Sequence, residues 1–549
     1  MPEAGSSNDA AKAAVRATAR ATARATADLV PAALPQTLPA ALALAARERP
    51  DQEALVIAGV RLTYSELAGR VERVAGGLQQ LGIVAGDNVA ICLGNCSQWV
   101  LSWFALAHLG ATAIPVNTRW KDDELAWAMR YTDARALIFA DRLLKVDFVA
   151  MVDRVRATLP ELRHCVMTGA QPPAWALPFA ALDGAAPACA ASPDSIALIQ
   201  FTSGSTSRPK GVMLPQHGML TNARGSALAV GMRAGDRYFS PRPFFHVAAS
   251  TGGILRALVS GACLVSIPTF DAADAITMMQ QEQCELFAGN DAMFLKLLES
   301  VDSSHGLRLR GGQAAASPEV LRQLHERLGI GGLCCSYGLS EASPGVSFSR
   351  YDDPIEERIA GWMWPLPGVR LRLRDPLTLA DVPTGQAGEI LIKGPSVMIG
   401  YYKLPDETRA AFDADGWLMT GDLGVLKDDG RLRFIGRHKD IIRVGGENLS
   451  PAEVEDLLLH HPDVTAAQVI GLPDARLGEV PVAYVALRSG AAIDPAVLVA
   501  WARERIAGFK APRFIGIVAG FDDVMTGSGK PQKNVLRERA LRDFGGQAR

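Results

Sequence analysis

The sequence predicts a layered α/β protein with more than one domain. Its 549 residues exceed what one hydrophobic core usually organises. Segments with helical periodicity alternate with short apolar runs of strand length, which is typical of helices packed against a sheet. The pattern changes near residues 437–440, after which the sequence predicts a smaller α+β unit.

Individual elements follow from capping and periodicity. Thr63 and Glu66 have the spacing of a capping box, and apolar residues then recur with helical spacing at Leu67, Val71, Val74, Leu78 and Leu81. Pro451 suits the first turn of a later amphipathic helix. The predicted strands cover Val89–Leu93, Ala262–Ile267, Arg431–Ile435, Ala467–Ile470 and Val480–Leu487, and the later predicted helices cover 451–460 and 495–507.

Changes in composition and in the pattern of elements along the chain set the predicted domain boundaries. Residues 1–30 form a low-complexity tail with a four-residue RATA repeat, and we expect this tail to be flexible. It lacks the apolar segment of a secretory signal, and Glu3 and Asp9 argue against the alternative of an organelle transit peptide. A large domain is expected over residues 31–437 and a small C-terminal domain over residues 438–549.

Charge and hydropathy narrow the classes of partner. Lysine and arginine total 56 against 58 aspartate and glutamate, so the formal net charge is only -2. This balance gives no charged surface typical of proteins that bind nucleic acid or anionic membranes. No apolar run reaches the roughly 18 residues of a membrane-spanning helix. We expect no nucleic acid partner, no stable membrane insertion and a cytoplasmic location, and the sequence leaves a homodimer open.

The cysteines carry no sign of a metal site or a disulfide framework. The chain has eight of them, without paired CxxC spacing and at too low a density for a secreted disulfide scaffold. We therefore expect reduced thiols that are mostly buried.

One segment has the composition of a phosphate-binding loop. The apolar run Ile196–Phe201 leads into a cluster of hydroxyls and a glycine, which ends at Lys210-Gly211. Glycine lets the backbone approach a polyphosphate, hydroxyls donate hydrogen bonds, and lysine supplies a compact positive charge. The spacing is not that of a Walker loop, and a Ser/Thr-rich surface linker is the alternative. The candidate phosphate ligands are Thr202, Ser203, Gly204, Ser205, Thr206, Ser207 and Lys210.

Further motifs follow this loop in a fixed order. They are Tyr337–Glu341, Gly400–Tyr402, Trp417–Asp422, Gly436-Arg437, Gly445–Asn448 and Gly529-Lys530. With these motifs, residues 35–540 resemble the ANL superfamily of acyl- and aryl-CoA synthetases, adenylation domains and firefly-type luciferases. The closest likeness is to medium-chain fatty acyl- and aryl-CoA ligases.

The resemblance implies a fold and an activity. The large domain would contain two α/β subdomains and a small β-barrel-like subdomain, and the C-terminal α+β domain would be mobile. The enzyme would use ATP and Mg²⁺ to convert a carboxylic acid into an acyl-AMP with release of pyrophosphate. It would then transfer the acyl group to coenzyme A.

The resemblance also implies roles in holding the nucleotide. Tyr337 would stack on adenine, Asp422 would bind the ribose hydroxyls, and Arg437 would contact the ribose or the α-phosphate. Gly312 and Gln313 would lie near adenine, although the family's Gly-Gly-Ala-Pro segment is replaced here by Gly-Gly-Gln-Ala.

Other residues would act on the phosphates. Ser340 stands where the family usually has threonine, and its hydroxyl would reach a phosphate. Glu341 would hold Mg²⁺ together with Thr206, because this cation prefers oxygen ligands and bridges phosphate oxygens. Lys530 would be the main cation at the reacting phosphate and carboxylate.

The second half-reaction would require the C-terminal domain to rotate. By resemblance the hinge is Lys439. Rotation would withdraw Lys530 and bring the loop with Gly445 and Gly446 to the acyl site, where the absence of side chains suits a narrow pantetheine tunnel.

The acyl pocket is expected around the segment Pro243–Thr251. His246 would contact the acyl carboxylate or gate the pocket, with a buried, hydrogen-bonded histidine as the alternative. Amino-acid-activating relatives have an aspartate at the His246 position, so an amino-acid substrate is disfavoured. Ala248, Ala249 and Gly289 predict a neutral pocket for a medium-chain fatty or aryl acid.

Two other functions stay open at this point. One is an adenylating enzyme that loads a carrier protein in trans instead of CoA. The other is a non-enzymatic nucleotide-binding regulator, against which Lys530, Glu341 and Asp422 argue together.

Overall fold

The computed structural model describes residues 34–202, 209–301, 306–445, 447–525 and 531–546. The helices of these residues are α1 (Leu38–Glu48), α2 (Tyr64–Gln80), α3 (Ser97–His108), α4 (Asp122–Tyr131), α5 (Phe148–Arg156), α6 (Gln216–Ala229), α7 (Val247–Ala249) and α8 (Arg256–Ser260). They continue with α9 (Ala272–Gln281), α10 (Asp291–Ser300), α11 (Pro318–Leu328), α12 (Ile355–Ile359), α13 (Pro405–Ala411), α14 (Pro451–Leu459), α15 (Pro495–Arg503) and α16 (Lys533–Phe544). None of the described helices is long and apolar enough to cross a membrane.

The strands of the first half are β1 (Glu53–Ile57), β2 (Val60–Thr63), β3 (Asn88–Cys92), β4 (Thr112–Pro115), β5 (Ala136–Phe139), β6 (Arg142–Leu143), β7 (Val146–Asp147), β8 (His164–Met167), β9 (Leu177–Pro178), β10 (Ile196–Thr202), β11 (Lys210–Pro215), β12 (Arg237–Phe239) and β13 (Cys263–Ser266). Those of the middle are β14 (Leu286–Asn290), β15 (Gly311–Ala315), β16 (Gly332–Gly338), β17 (Gly345–Phe348), β18 (Trp364–Pro365), β19 (Arg370–Arg374), β20 (Ala387–Lys393), β21 (Gly400–Tyr401), β22 (Leu418–Leu426) and β23 (Leu432–Arg437). The last are β24 (Ile442–Val444), β25 (Glu447–Leu449), β26 (Val464–Asp474), β27 (Gly478–Leu487) and β28 (Phe514–Val518).

Two large sheets form the main part of the fold. One has the strand order β18-β17-β16-β15-β14-β12-β13-β1-β2, and the other has the order β21-β11-β10-β4-β3-β5-β8-β9. In the first sheet, the strands from β1 through β13, β12, β14 and β15 to β16 pair in parallel. Parallel strands align their carboxyl ends, so the loops after β12, β14, β15 and β16 lie along one edge.

The second sheet lies between two hydrophobic cores. Val89 and Ile91 of β3 belong to the core shared with α2, α3 and the first sheet. Ala90 and Cys92 belong to the core shared with α4 and α5. Successive strand residues point to opposite faces, so a strand covered on both sides is apolar throughout. The apolar run predicted from residue 89 onwards is such a strand.

A smaller antiparallel sheet stands where the resemblance implied a β-barrel-like subdomain. Its strand order is β19-β20-β22-β23, and it ends the large N-terminal part of the fold. A separate sheet, β25-β24-β27-β26 with β28 beside β27, forms the C-terminal part with α14, α15 and α16. The predicted mixed α/β fold, with a large N-terminal and a small C-terminal part, is confirmed.

The local elements match their sequence signals closely. In α2 both bonds of the capping box form, with Glu66 N donating to Thr63 Oγ1 over 3.2 Å and Thr63 N donating to Glu66 Oε2 over 2.9 Å. α15 ends at Arg503 instead of 507, because the N–H of Arg505 donates to the carbonyl of Ala502, three residues back, and the chain tightens into a turn. β26 is longer than predicted because it pairs with β27 over its whole length.

The join between the two parts is short. β23 ends at Arg437, His438–Asp440 form a single 3₁₀ turn, and β24 already belongs to the C-terminal sheet. This change of sheet supports the predicted domain boundary, which stays a prediction.

Among the residues that the structure describes, few polar contacts join the C-terminal part to the N-terminal part near this point. The backbone N–H of Glu319 in α11 donates to Asp456 Oδ1 of α14 over 3.2 Å, and His460 Nε2 lies 3.2 Å from Glu319 Oε2. Ser450 Oγ donates to the carbonyl of Ile435 over 2.8 Å. Such contacts are individually weak where they are partly exposed.

The cysteines are dispersed as free thiols. Cys92, Cys165, Cys263, Cys284, Cys334 and Cys335 are buried, Cys96 is half-buried and Cys189 is exposed. Burial raises the pKa of the Cys92 thiol to about 12, so this thiol is unreactive at neutral pH. Within the described ranges, no group of three or more His, Cys, Asp and Glu residues could hold a metal ion.

Candidate active site

A buried aspartate joins two sheets at the predicted nucleotide site. Asp422 of β22 and Arg437 of β23 are cross-strand partners, and Arg437 Nε lies 3.3 Å from Asp422 Oδ1. The other oxygen, Asp422 Oδ2, accepts a hydrogen bond of 2.9 Å from the hydroxyl of Tyr337 in β16. Asp422 is only 3% exposed, whereas Arg437 is exposed. We call Tyr337, Asp422 and Arg437 the nucleoside cluster.

The hydroxyl of Tyr337 remains a donor at all physiological pH values. Burial, together with the charge of Asp422, raises the pKa of Tyr337 well above its usual value. The ring of Tyr337 stacks on the ring of Phe434, with 5.1 Å between the centroids and 16° between the planes. The sequence did not single out Phe434, because an aromatic residue in a strand is usually a packing residue.

A second cluster forms around Glu341. The hydroxyl of Tyr401 donates to Glu341 Oε1 over 3.0 Å, and Lys210 Nζ lies 4.8 Å from the centre of the Tyr401 ring. Burial and the charge of Glu341 raise the pKa of Tyr401, so its hydroxyl also stays protonated. The sequence predicted sites at Lys210 and Glu341 but gave Tyr401 no role. We call these three residues the Glu341 cluster.

Strand pairing explains how the Glu341 cluster forms. β21 pairs with β11, so Tyr401 lies opposite Val212, two residues beyond Lys210. The backbone N–H of Met398 donates to the carbonyl of Glu341 over 2.8 Å and holds the incoming chain beside it. The motif Gly400–Tyr402 is therefore a structural partner of Tyr337–Glu341.

The predicted phosphate loop connects two strands that pair antiparallel, β10 and β11. Thr202 at the end of β10 and Lys210 at the start of β11 are Cα partners, so both ends of the loop lie beside the Glu341 cluster. The described residues do not include five of the predicted ligands, which are Ser203, Gly204, Ser205, Thr206 and Ser207. Ser340 begins a 3₁₀ turn of three residues directly before Glu341.

Packing alone accounts for Gly312. Its φ is 137°, and a Cβ at this position would overlap the carbonyl oxygen of Phe287 on the neighbouring β14. The close approach of β14 and β15 therefore requires glycine there. The predicted contact between Gly312 and adenine stays a prediction.

Gln313 has its side chain in a buried polar cluster. Its Nε2 donates to Ser336 Oγ over 2.9 Å, and its Oε1 accepts from Arg256 Nη1 over 2.8 Å and from Arg242 Nη1 over 3.3 Å. Gln313 thus contacts two guanidinium groups in this structure. The expectation of a neutral acyl pocket did not take Arg242 and Arg256 into account. A signal existed, since Arg256 interrupts the apolar run Ile254–Leu258.

His246 begins the helix that lines the predicted acyl pocket. Its Nδ1 accepts the backbone N–H of Ala248 over 3.1 Å, which caps the short α7. A π-helical stretch, Ser250–Leu255, then leads into α8. π-turns within helices are frequent at functional sites. This capping bond therefore uses Nδ1 of His246 as its acceptor.

The residues predicted for the second half-reaction lie around the join. Lys439 is exposed in the 3₁₀ turn between β23 and β24. Gly445 has a φ of 61° in the turn between β24 and β25, and its N–H donates to the carbonyl of Leu477 over 2.7 Å. Gly446 and Lys530 lie outside the described residues.

Known proteins share this organisation over most of the chain. The family described as AMP-binding enzyme matches residues 42–402, and the AMP-binding enzyme C-terminal domain matches residues 453–530. The chain belongs to the AMP-binding enzyme family. The Glu341 cluster and Tyr337 lie inside the first match, Asp422 and Arg437 lie between the two, and Lys530 is the last residue of the second.

Relatives of this AMP-binding enzyme align along nearly their full length. A putative acyl-CoA synthetase, YngI of Bacillus subtilis, is 33% identical in an alignment of 527 positions that covers 90% of this chain and 95% of the relative. A 3-[(3aS,4S,7aS)-7a-methyl-1,5-dioxo-octahydro-1H-inden-4-yl]propanoyl:CoA ligase of Mycobacterium tuberculosis is 36% identical over 91% of this chain and 98% of its own. The crystal structure of the anthranilate CoA ligase AuaEII with anthranoyl-AMP superposes with a TM-score of 0.86 at 26% identity, covering 93% and 99% of the two chains.

Proposed function

We propose that this AMP-binding enzyme is an ATP-dependent acyl-CoA ligase. It converts a carboxylic acid and ATP into acyl-AMP and pyrophosphate, and then transfers the acyl group to CoA with release of AMP. One observation carries the proposal: the short segment Tyr337–Glu341 connects the nucleoside cluster at one end to the Glu341 cluster at the other. The acyl-CoA synthetase and CoA ligases among its relatives support the same reaction.

The first half-reaction joins two anions. An oxygen of the substrate carboxylate attacks the α-phosphorus of ATP, a new P–O bond forms, and the bond to the bridging oxygen breaks as pyrophosphate leaves with its electron pair. Because both partners are negative, catalysis consists mainly of charge neutralisation and alignment. Lys210 and Arg437 supply positive charge from the described part of the chain, and Lys530 is proposed as the main cation at the reacting centre.

The nucleoside cluster binds the adenosine part of ATP in this proposal. Phe434 covers one face of the Tyr337 ring, so adenine takes the other face. In this proposal the carboxylate of Asp422, which Tyr337 and Arg437 hold in place, accepts hydrogen bonds from the ribose hydroxyls. Burial of Asp422 makes these hydrogen bonds strong because water does not compete for them.

The Glu341 cluster fits a magnesium ion that is shared with the nucleotide. Mg²⁺ typically takes one or two carboxylates, with phosphate oxygens and water in its other positions. Glu341 offers one carboxylate beside Lys210, which suits a metal–phosphate unit better than a metal held by protein alone. When bound there, Mg²⁺ would neutralise phosphate charge, and Thr206 is the predicted second ligand. Tyr401 orients Glu341 for this role.

The second half-reaction replaces AMP by the thiol of CoA. The CoA sulfur attacks the acyl carbonyl carbon, a thioester bond forms, and AMP leaves. In this proposal residues 438–549 rotate about Lys439 so that Lys530 departs and the loop with Gly445 and Gly446 faces the acyl group. Rotation would break the contacts of Glu319 with Asp456 and His460, which are few and polar.

The test measures both half-reactions on the purified protein. Pyrophosphate release is followed with ATP, Mg²⁺ and a panel of medium-chain, long-chain, aryl and dicarboxylic acids, and thioester formation is followed by thiol consumption after CoA is added. We expect acid-dependent pyrophosphate release that EDTA abolishes. No acid-dependent release across the panel would refute the proposal and favour a nucleotide-binding regulator.

The acceptor and the assembly are tested in the same preparation. Free CoA is compared with a phosphopantetheinylated carrier protein, and rapid transfer only to the carrier would identify the alternative that acts in trans. Medium-chain fatty and aryl acids are the substrates expected from the sequence. A homodimer and a cytoplasmic location stay predictions from the sequence. Light scattering would test the first, and cell fractionation would test the second.

A further inference from the structure

Two arginines are buried next to each other beside the helix that follows His246. Arg256 is 1% exposed and Arg242 is 6% exposed. Both reach the same glycine, since a Cβ built on Gly252 would lie 3.3 Å from Arg256 Nη2 and 3.5 Å from Arg242 Nη2. Two like charges therefore lie within a few ångströms of each other in the core. We call Arg242 and Arg256 the arginine pair.

The acceptors around the arginine pair are all neutral among the described residues. The amide oxygen of Gln313 is shared by both guanidiniums, and so is the hydroxyl of Tyr238. The remaining acceptors are the carbonyl of Gly252 and one serine hydroxyl. Arg242 Nε has no partner there. A buried charge without a counter-charge is energetically costly. No described residue supplies an anion that would balance the charge of the arginine pair.

Hydroxyl groups beside the pair are also unsatisfied. Ser240 Oγ, Ser250 Oγ and Thr251 Oγ1 are buried and have no hydrogen-bond partner among the described residues. Ser250 and Thr251 directly precede Gly252, and Ser240 Oγ lies 3.0 Å from the Cβ position of Gly253. Buried polar groups are normally paired, and a cluster of exceptions indicates a binding site.

Another arginine shows how this fold satisfies a purely structural guanidinium. Arg358 is 4% exposed and donates to three backbone carbonyls, those of Asp353, Leu333 and Gly331, over 2.9, 2.7 and 2.6 Å. The bonds of Arg242 are much longer, between 3.3 and 3.4 Å. Burial and the neighbouring charge of Arg256 lower the pKa of Arg242 to about 10, and the group remains charged at neutral pH.

The arginine pair lies beside the segment that continues from His246. His246 caps α7, and Gly252 follows six residues later in the π-helical stretch Ser250–Leu255. Ser336, which contacts the pair through Gln313, precedes Tyr337 in β16 and therefore points to the opposite face of the strand. The pair thus faces away from the nucleoside cluster.

We propose that Arg242 and Arg256 bind a second carboxylate at the far end of the acyl substrate, so that the enzyme activates dicarboxylic acids in which several carbons separate the two carboxylates. The inference rests on the proposed ligase function, in which the first carboxylate reacts near His246. A carboxylate matches the fork of guanidinium donors and supplies the missing negative charge.

The first experiment compares matched acids. Pyrophosphate release is measured for straight-chain dicarboxylic acids of increasing length, for the monocarboxylic acids with the same number of carbons, and for the half methyl esters of the diacids. We expect one diacid length to exceed its monoacid and its half ester in kcat/KM by roughly 10–100-fold, the value of one charged hydrogen-bonded contact. Equal or higher kcat/KM for the monoacids at every length would overturn the inference. A half ester as good as the diacid would also overturn it, because a neutral acceptor would then suffice.

Variants of the pair provide a second readout that does not depend on catalysis. Arg242→Leu should abolish the preference for diacids and should abolish diacid binding measured by calorimetry without ATP. Gln313→Glu introduces the missing negative charge at nearly the same shape, so it should raise the melting temperature and weaken diacid binding. Arg358→Leu is the control: it should lower the melting temperature and leave the ratio of diacid to monoacid unchanged.

These measurements separate failure of the inference from failure of the proposed function. Activity on monoacids without any preference for diacids would refute the second carboxylate site and support the ligase function. The protein could instead release no pyrophosphate with any acid and still bind diacids in a way that Arg242→Leu abolishes. That outcome would refute the ligase function and support the carboxylate site. Diacid binding that is the same in the wild type and in Arg242→Leu would overturn the site, and a lower melting temperature in Gln313→Glu would contradict the uncompensated charge.

Discussion

Tyr337 and Asp422 are 85 residues apart in the chain, and the hydroxyl of one lies 2.9 Å from Oδ2 of the other. This hydrogen bond connects β16 of the nine-stranded sheet to β22 of the small antiparallel sheet. It fixes the carboxylate beside the aromatic ring that is expected to bind adenine. Affinity for ATP should therefore depend on this contact more than on the stability of either sheet.

The first prediction removes this hydrogen bond and keeps the ring. Tyr337→Phe leaves Asp422 buried with one donor fewer, and a buried charged hydrogen bond is worth about 1.5–3 kcal/mol. The KM for ATP in pyrophosphate release should rise roughly 10–100-fold. Tyr484→Phe is a matched control, since Tyr484 donates to Asp543 over 2.8 Å in the C-terminal core. Similar changes of KM in both variants would contradict the role of Tyr337.

The second prediction concerns Glu341 and magnesium. Glu341→Gln keeps the shape and the contact with Tyr401 but removes the charge that would hold the metal–phosphate unit. We expect the Mg²⁺ concentration for half-maximal pyrophosphate release to rise by about tenfold or more. The control is Glu357→Gln, which breaks an ion pair with Lys427 away from the cluster. If Glu341→Gln requires the same Mg²⁺ concentration as the wild type, Glu341 is not a ligand of the metal.

The third prediction separates the two half-reactions. Lys530→Ala should slow acyl-AMP formation by a few hundredfold, corresponding to about 3–4 kcal/mol of transition-state stabilisation. Thioester formation from supplied acyl-AMP and CoA should be largely preserved, because Lys530 is proposed to leave the site before that step. Lys533→Ala serves as control, since Lys533 forms an ion pair with Glu455 over 2.9 Å. Equal loss of both half-reactions in Lys530→Ala would refute the assignment.

The fourth prediction uses Asp291, a half-buried acid at the start of α10. Burial raises the pKa of Asp291 from 3.8 to about 6, although the backbone N–H of Ser317 donates to it over 2.8 Å. Between these values the folded protein binds more protons than the unfolded chain. The contribution of Asp291 to stability is therefore fully present below about pH 4 and is lost as the pH rises through about 6.

Asp291→Asn removes this titration and keeps an acceptor for Ser317. The variant should be more stable than the wild type at pH 7, by on the order of 3 kcal/mol, and the difference should shrink towards pH 4. Denaturant unfolding at several pH values measures it. Parallel stability profiles for the two proteins would show that the group titrates normally.

Sequence signals were sufficient where structure depends on neighbouring residues. The capping box of Thr63 and Glu66 formed as predicted, because its bonds span only three residues. The apolar run from Ile196 to Phe201 is likewise part of a strand, β10, because its pattern is carried by neighbouring residues. The ordered motifs indicated the family, and the match over residues 42–402 confirmed it.

Contacts between distant segments were beyond the sequence. Tyr401 reaches Glu341 because β21 adds to the edge of β11, and periodicity along one strand does not specify its partner. Phe434 stacks on Tyr337 for a similar reason, since two different sheets meet there. Clusters of buried charge are equally hard to predict. From sequence alone an arginine side chain is expected to be exposed to solvent, and only the fold shows that it is buried.

The sequence by itself determined the family, the order of the elements and the residue types available for adenylation, since each of these is carried by short motifs along the chain. Only the tertiary structure decided which of these residues face one another. It placed Tyr337, Asp422 and Arg437 in one cluster. It also buried Arg242 and Arg256 around Gln313, where the expected pocket was neutral. The physical reason is that burial changes the free energy of a charged group. Burial depends on how distant elements pack together, and no local sequence pattern contains that information.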